Sequence, residues 1–194
     1  MNNNFVYLTT NNNKIEEIKF HFGRYNINVD VEKPDFEILE TQGTNCLDVA
    51  KFSAKFAADK IQKPVLKSDT GVYIDVLGGL PGCYNSYFAK QIGHEKLIKM
   101  INSIREEGKE VRIRLQHCFA YCEPGQEPVG FEGGSEGTVA TKCEGTMGGF
   151  HDFFFIPDGQ EHTLSVLRET KGREFESQFW GNAIDQFIEW YSKK

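Results

Sequence analysis

Long apolar runs are missing from this 194-residue chain, and no stretch approaches the length that a membrane span needs. The opening Met1-Asn2-Asn3-Asn4 is not that of a signal peptide. Basic excess is missing too. With 22 Lys and Arg against 28 Asp and Glu the formal net charge is −6, which argues against a general nucleic-acid or anionic-membrane surface. A small anionic ligand is not excluded, because it needs only a few local cations. Five cysteines, odd in number and irregular in spacing, make no disulfide framework. Without a CxxC or a His/Cys metal spacing, no zinc site is expected. Cys118 and Cys122 would share one face of a strand as core thiols, and the expected compartment is the reducing cytoplasm. No internal repeat, long linker or low-complexity tract occurs, so residues 1–194 read as a single domain, long enough to bury a real core.

What is present is organised around Lys67–Tyr87, KSDTGVYIDVLGGLPGCYNSY. Val65 and Leu66 lead into Ser68-Asp69-Thr70-Gly71, and Val72, Ile74 and Val76 alternate after it. That pattern predicts strand, sharp Gly-assisted turn, strand. A carboxylate at such a turn is ordinarily a solvated turn former. Asp69 stands out because Gly78-Gly79-Leu80-Pro81-Gly82 follows, a loop with little side chain that lets a ligand approach closely. Upstream, Phe5–Thr9 reads as a strand running through Thr10-Asn11-Asn12-Asn13-Lys14 into a helix with Ile15, Ile18 and Phe22 inward. Taken plainly, this is a capped helix. The same geometry presents free N–H groups and a positive dipole end to phosphate, and Lys14 in the first turn adds a full charge. The Gly-x4-Gly-Lys pattern is missing, so it is not a Walker loop.

The remaining periodicities predict strands at Ile27–Val31, Val111–Tyr121 and Phe131–Ala140. They predict a helix capped by Thr44-Asn45 and running to about Ile61, with Leu47, Ala50, Ala54, Ala57 and Ile61 buried. Two more helices are expected, at Glu95–Ile104 with Leu97, Ile98, Ile101 and Ile104 inward, and at Ala183–Tyr191. His117, on the apolar side of its strand, reads as a hydrogen-bonded core or interface histidine rather than a ligand.

The run SDTGVYIDVLGGLPGCYNSYFA resembles the signature of the inosine/xanthosine triphosphate pyrophosphatases, the Ham1-like family, in which an acidic pair precedes Thr or Ser and Gly. Thr9-x-Asn11-x-x-Lys14 matches that family's Thr-x-Asn-x-x-Lys loop at every fixed position. We read an α/β fold with a long mixed sheet flanked by helices, as two lobes around a nucleotide cleft. The resemblance implies a homodimer that takes a nucleoside triphosphate, and the acidic net charge predicts no nucleic-acid or membrane partner. It implies Mg²⁺ held by Glu40 and Asp69, with Asp69 and Lys14 as catalytic residues. It also implies substrate contacts from Thr9, Asn11, Lys14, Ser68, Thr70 and Gly71, and from Phe150, Asp152, Lys171 and Gln178 toward the base.

This sequence departs from the family pattern in several places. Ser68 replaces the first acid of the pair, and Phe153 replaces the Pro after Asp152. The preceding aromatic and Gly are swapped, as Gly149-Phe150, and Gly172 replaces the Asn after Lys171. The family's Ser-His-Arg, which reads the purine 6-keto group, is missing, and Gln178-Phe179-Trp180 stands where it should be. Rings favour stacking, and an amide pairs with amino or keto edges alike. The expected function is therefore release of pyrophosphate and a monophosphate with altered base specificity and weak preference for inosine or xanthosine triphosphate. The alternative, motivated by Ser68 and the missing Ser-His-Arg, is a non-catalytic nucleotide-binding or regulatory protein on the same fold.

Overall fold

Short apolar runs ended by Asn and Gly set the first elements of the computed structural model, which describes residues 5–39, 41–43 and 45–194. Strand β1 (Val6–Leu8) feeds helix α1 (Asn12–Gly23), whose N-cap Asn11 accepts a hydrogen bond from the Asn13 N–H. Strand β2 (Asp30–Glu32) pairs parallel with β1, and includes only the end of the stretch expected to be strand. Helix α2 (Cys46–Ile61) is capped by Asn45, which accepts from the Leu47 N–H. Its buried face keeps the predicted Ala50, Ala54 and Ala57 but adds Cys46, Val49, Ser53 and Ala58. Leu47 and Ile61 are only half-buried at its margins.

Strand β3 (Val65–Ile74) is continuous, which corrects the expected turn at Ser68–Gly71. Gly71 serves packing there, since an added Cβ would lie 2.5 Å from the Tyr73 ring. Chain reversal comes later. A 3-10 turn at Asp75–Leu77 is followed by Gly78 and Gly79, with φ of 64° and 90°, and strand β4 (Pro81–Gly82) returns antiparallel to Val72 and Tyr73. Val76, predicted to alternate inward, lies in that turn and is exposed.

Helices α3 (Asn85–Gln91) and α4 (His94–Ile104) precede strands β5 (Arg112–Cys122), β6 (Val129–Val139) and β7 (Phe155–Pro157). Helix α4 buries Leu97, Ile98 and Ile101, whereas Ile104 is exposed at its end. Helices α5 (Leu164–Lys171), α6 (Arg173–Glu176) and α7 (Ala183–Tyr191) complete the described chain, with a 3-10 turn at Ser177–Phe179 after α6. Seven strands form a mixed sheet in the order β2-β1-β3-β5-β6-β7, with β4 paired to β3. Among the described residues no helix is long and apolar enough to cross a membrane.

The chain divides into two compact units. The first comprises residues 1–69, 118–132 and 183–194, and its core is aromatic, with Phe5, Tyr7, Phe22, Tyr121, Phe131 and Phe187 around Leu66 and Ile184. The second comprises residues 70–117 and 133–182, and packs Val72, Ile74, Leu97, Ile101, Ile113 and Leu115 with Phe154 and Phe155. The divisions fall inside β3, β5 and β6, so each of these strands runs on from one unit to the other.

Candidate functional site

In the first unit the strand-to-helix junction brings the predicted phosphate loop to the middle of β3. Thr9 is buried at the end of β1, and its Oγ1 accepts from the Asn11 N–H at 3.1 Å. The Asn11 carbonyl and side chain then start α1, which aims the first turn and Lys14 toward β3. Lys14 Nζ donates to the Ser68 carbonyl oxygen at 2.8 Å. Burial pulls the Lys14 ammonium down, but Asp69, Tyr7 and Glu17 together outweigh it and hold the amine above its ordinary pKa. Lys14 is therefore a fixed cation beside Asp69.

Tyr7 and Lys67 join these groups, and both escaped the sequence reading. Tyr7 is almost wholly buried, and its hydroxyl lies 2.5 Å from Ser68 Oγ. Burial pushes its phenol up to about 12, so it stays a neutral hydrogen-bonding group. Lys67, also buried, donates to the Leu8 carbonyl at 3.1 Å, next to Thr9. A Lys and a Tyr inside apolar strand runs carry no sequence signal of their own, because only the pairing of β1 with β3 brings them together. Ser68, standing where the family pattern has an acid, thus bonds a phenol through its side chain and Lys14 through its backbone. Asp69 keeps one oxygen, Oδ2, buried with no hydrogen-bond partner among the described residues. Such an orphaned carboxylate oxygen fits a hard divalent cation. Glu40, the other expected ligand, lies outside the described residues.

In the second unit, Thr70 Oγ1 is within 3.5 Å of His117 Nδ1, and His117 stacks on Trp180 with centroids 5.9 Å apart. His117 is thus held by hydrogen-bond distance and by ring contact, as expected of a structural histidine. Asp152 is buried, and its Oδ2 accepts from the Gly149 N–H at 2.6 Å while Oδ1 lies 3.2 Å from His151 Nε2. Gly148 is what lets the loop wrap so tightly, since a Cβ there would sit 2.2 Å from Asp152 Oδ2. Phe150 is half-buried, edge-on to Phe154 at 5.4 Å and against the core. Lys171 is exposed, with Nζ over the Phe175 ring and 3.4 Å from Gln160 Oε1. Gln178 is exposed on the 3-10 turn.

The buried acid of this segment is instead Glu176, fully enclosed with Arg168 Nε 3.7 Å from its Oε2. Burial pushes its carboxyl up to about 7, and the Asp152 charge adds to the rise. Sequence reasoning passed over Glu176 because a Glu in a charged ETKGREFE run ordinarily faces water. The available signal was the apolar spacing of Phe175 and Phe179, which turns the face between them inward.

A mixed α/β sheet that sets a Thr-Asn-Lys helix start against a strand carboxylate defines a class of phosphate-handling α/β proteins. Within it, this chain belongs to the Ham1 family, whose model matches residues 5–190. It is 32% identical over 187 residues to the dITP/XTP pyrophosphatase of Methanopyrus kandleri, covering 96% of this chain and 95% of that one. The inosine triphosphate pyrophosphatase of Aspergillus fumigatus is 36% identical over 134 residues, 69% of this chain and 67% of that one. The solved Staphylococcus aureus Ham1 protein shares the fold, with a TM-score of 0.78 at 24% identity over 97% of this chain and 98% of that one.

Proposed function

We propose that the chain hydrolyses a nucleoside triphosphate to the monophosphate and pyrophosphate. The observation that carries the reading is Lys14, a cation held against β3 beside a strand carboxylate with one unpartnered oxygen, at the start of a capped helix. The similarity to proteins named as dITP/XTP and inosine triphosphate pyrophosphatases supports it. Thr9, Asn11 and Lys14 neutralise the phosphates, and Lys14 offsets charge on the departing pyrophosphate. Asp69 orients the water that attacks the α-phosphorus, so that a P–O bond to water forms as the bond to the β-phosphate oxygen breaks. Asp69 and Glu40 would hold Mg²⁺, which would supply Lewis-acid polarisation of the triphosphate. Ser68, Thr70 and Gly71 belong to the same reading as substrate contacts, as do Phe150, Asp152, Lys171 and Gln178. A cytoplasmic homodimer belongs to the same reading, and the exposed Val76, Leu80, Tyr84 and Tyr87 support it as apolar interface material.

The test is pyrophosphate release from a panel of nucleoside triphosphates with Mg²⁺, run beside Asp69→Asn and Lys14→Ala. Asp69→Asn is expected to abolish turnover and keep the fold. Lys14→Ala is expected to weaken triphosphate binding more than monophosphate binding. Full activity in a folded Asp69→Asn protein removes Asp69 from the mechanism, and no release from any triphosphate overturns the reading.

A further inference from the structure

Three potential metal ligands, one each of nitrogen, oxygen and sulfur, converge in the second unit at a place that sequence spacing hides. His94, Glu95 and Cys143 each offer one ligand atom, and these atoms all lie within 4.8 Å of one another. His94 and Glu95 open α4, whereas Cys143 lies in the loop after β6. That loop is tied down on two sides. Asn102 of α4 donates to the Thr141 carbonyl at 2.7 Å, and the Glu144 N–H donates to the Phe153 carbonyl at 2.9 Å. Phe153 in turn packs its ring on the His94 imidazole, with centroids 4.5 Å apart. Phe153 stands where the family pattern has Pro, so the platform under His94 comes from a departure from that pattern.

We propose that His94, Glu95 and Cys143 bind zinc, or a divalent cation of similar thiophilicity, and staple the start of α4 to the 141–153 loop. Imidazole nitrogen, carboxylate oxygen and thiolate sulfur are a zinc ligand set, and three protein ligands leave a fourth tetrahedral position for water. The same set is poor for Mg²⁺, which takes oxygen ligands in octahedral geometry, so this site does not duplicate the cation expected at Asp69. The donor atoms, all within 4.8 Å of one another, are close enough to share one ion at bond lengths of ~2.0–2.3 Å. The helix start disfavours a cation, but only weakly, and two anionic ligands outweigh it. Zinc binding displaces the thiol proton of Cys143 to solvent as the sulfur–metal bond forms, and no electron changes hands.

The test uses the full chain freed of metal by chelation and dialysed against Zn²⁺ alone, then against Co²⁺ as a spectroscopic substitute. One equivalent of Zn²⁺ is expected per chain, with a rise in melting temperature. Co²⁺ should give thiolate-to-metal charge-transfer absorption that Cys143→Ala removes and Cys83→Ala leaves intact. Glu95→Gln changes an exposed side chain and leaves the core untouched, so it isolates ligation from folding. It should weaken Zn²⁺ by about tenfold or more and blunt the melting shift, with an unchanged circular dichroism spectrum. Zinc retained equally by the wild type and both ligand variants, or a Co²⁺ spectrum indifferent to Cys143, overturns the proposal.

Discussion

Single residues in this chain are set by what surrounds them more than by what they are. Glu176 is the clearest instance, because its carboxyl has an ordinary value near 4.5 in an open chain and about 7 in the folded one. Between those values the unfolded chain releases the proton and the folded chain keeps it. The stability contribution is therefore whole below about pH 4.5 and is lost as pH rises to 7, in total by roughly 3 kcal/mol. Glu176→Gln keeps the shape and removes the titration. It is expected to raise the melting temperature at pH 8 and to have little effect at pH 4, measured by thermal unfolding at both. Equal effects at the two pH values would mean that ionisation of Glu176 does not govern stability.

At the scale of elements, glycine decides how closely strands and loops approach in the second unit. A Cβ on Gly134 of β6 would lie 2.0 Å from the Leu115 carbonyl oxygen of β5, and one on Gly137 would lie 2.1 Å from the Ile156 carbonyl oxygen of β7. Both clashes are with backbone, which cannot swing aside as a side chain can. Gly134→Ala is expected to destabilise by about 1–3 kcal/mol or more, read as a lower midpoint in urea unfolding. A midpoint equal to the wild type would show that β6 shifts freely away from β5. By contrast, the substitution Asn11→Ala removes one helix cap at an exposed position, and about 1 kcal/mol is the expected loss.

For the whole molecule, three strands passing from one unit to the other make independent unfolding costly, because melting either unit cuts β3, β5 and β6. One cooperative transition is expected in calorimetry, consistent with a single domain, and two resolved transitions would separate the units. The base preference is a property of the same scale. The segment after α5 buries Glu176 and stacks Trp180 on His117, while Lys171 and Gln178, the polar candidates for reading the base, are exposed. A missing hydrogen-bond donor set costs about 1–3 kcal/mol of discrimination. Inosine and xanthosine triphosphates are therefore expected to exceed other nucleotides in kcat/KM by no more than about a hundredfold. A thousandfold preference would show that donors elsewhere in the chain read the keto edge.

The sequence by itself determined that capped helices follow the Thr10–Lys14 run and Thr44-Asn45, along with the long β5 and β6 strands, the core thiols Cys118 and Cys122, and the Thr9-Asn11-Lys14 loop. These are local matters: caps, two-residue alternation and helix periodicity depend on neighbours within a few positions. The same locality misplaced a turn at Ser68–Gly71, because a glycine in a polar run looks like a reversal. Only the tertiary structure decided that Gly71 lies within a straight strand, where the Tyr73 ring fills the space of a side chain. Only it joined Tyr7 to Ser68 and Lys14 to the Ser68 carbonyl, since β1 and β3 meet by a parallel pairing across the whole of α1 and α2. Likewise it enclosed Glu176 in apolar surroundings and gathered His94, Glu95 and Cys143 to one spot. Pairing register and desolvation are set between residues far apart in the chain, and no local pattern of residue types carries them.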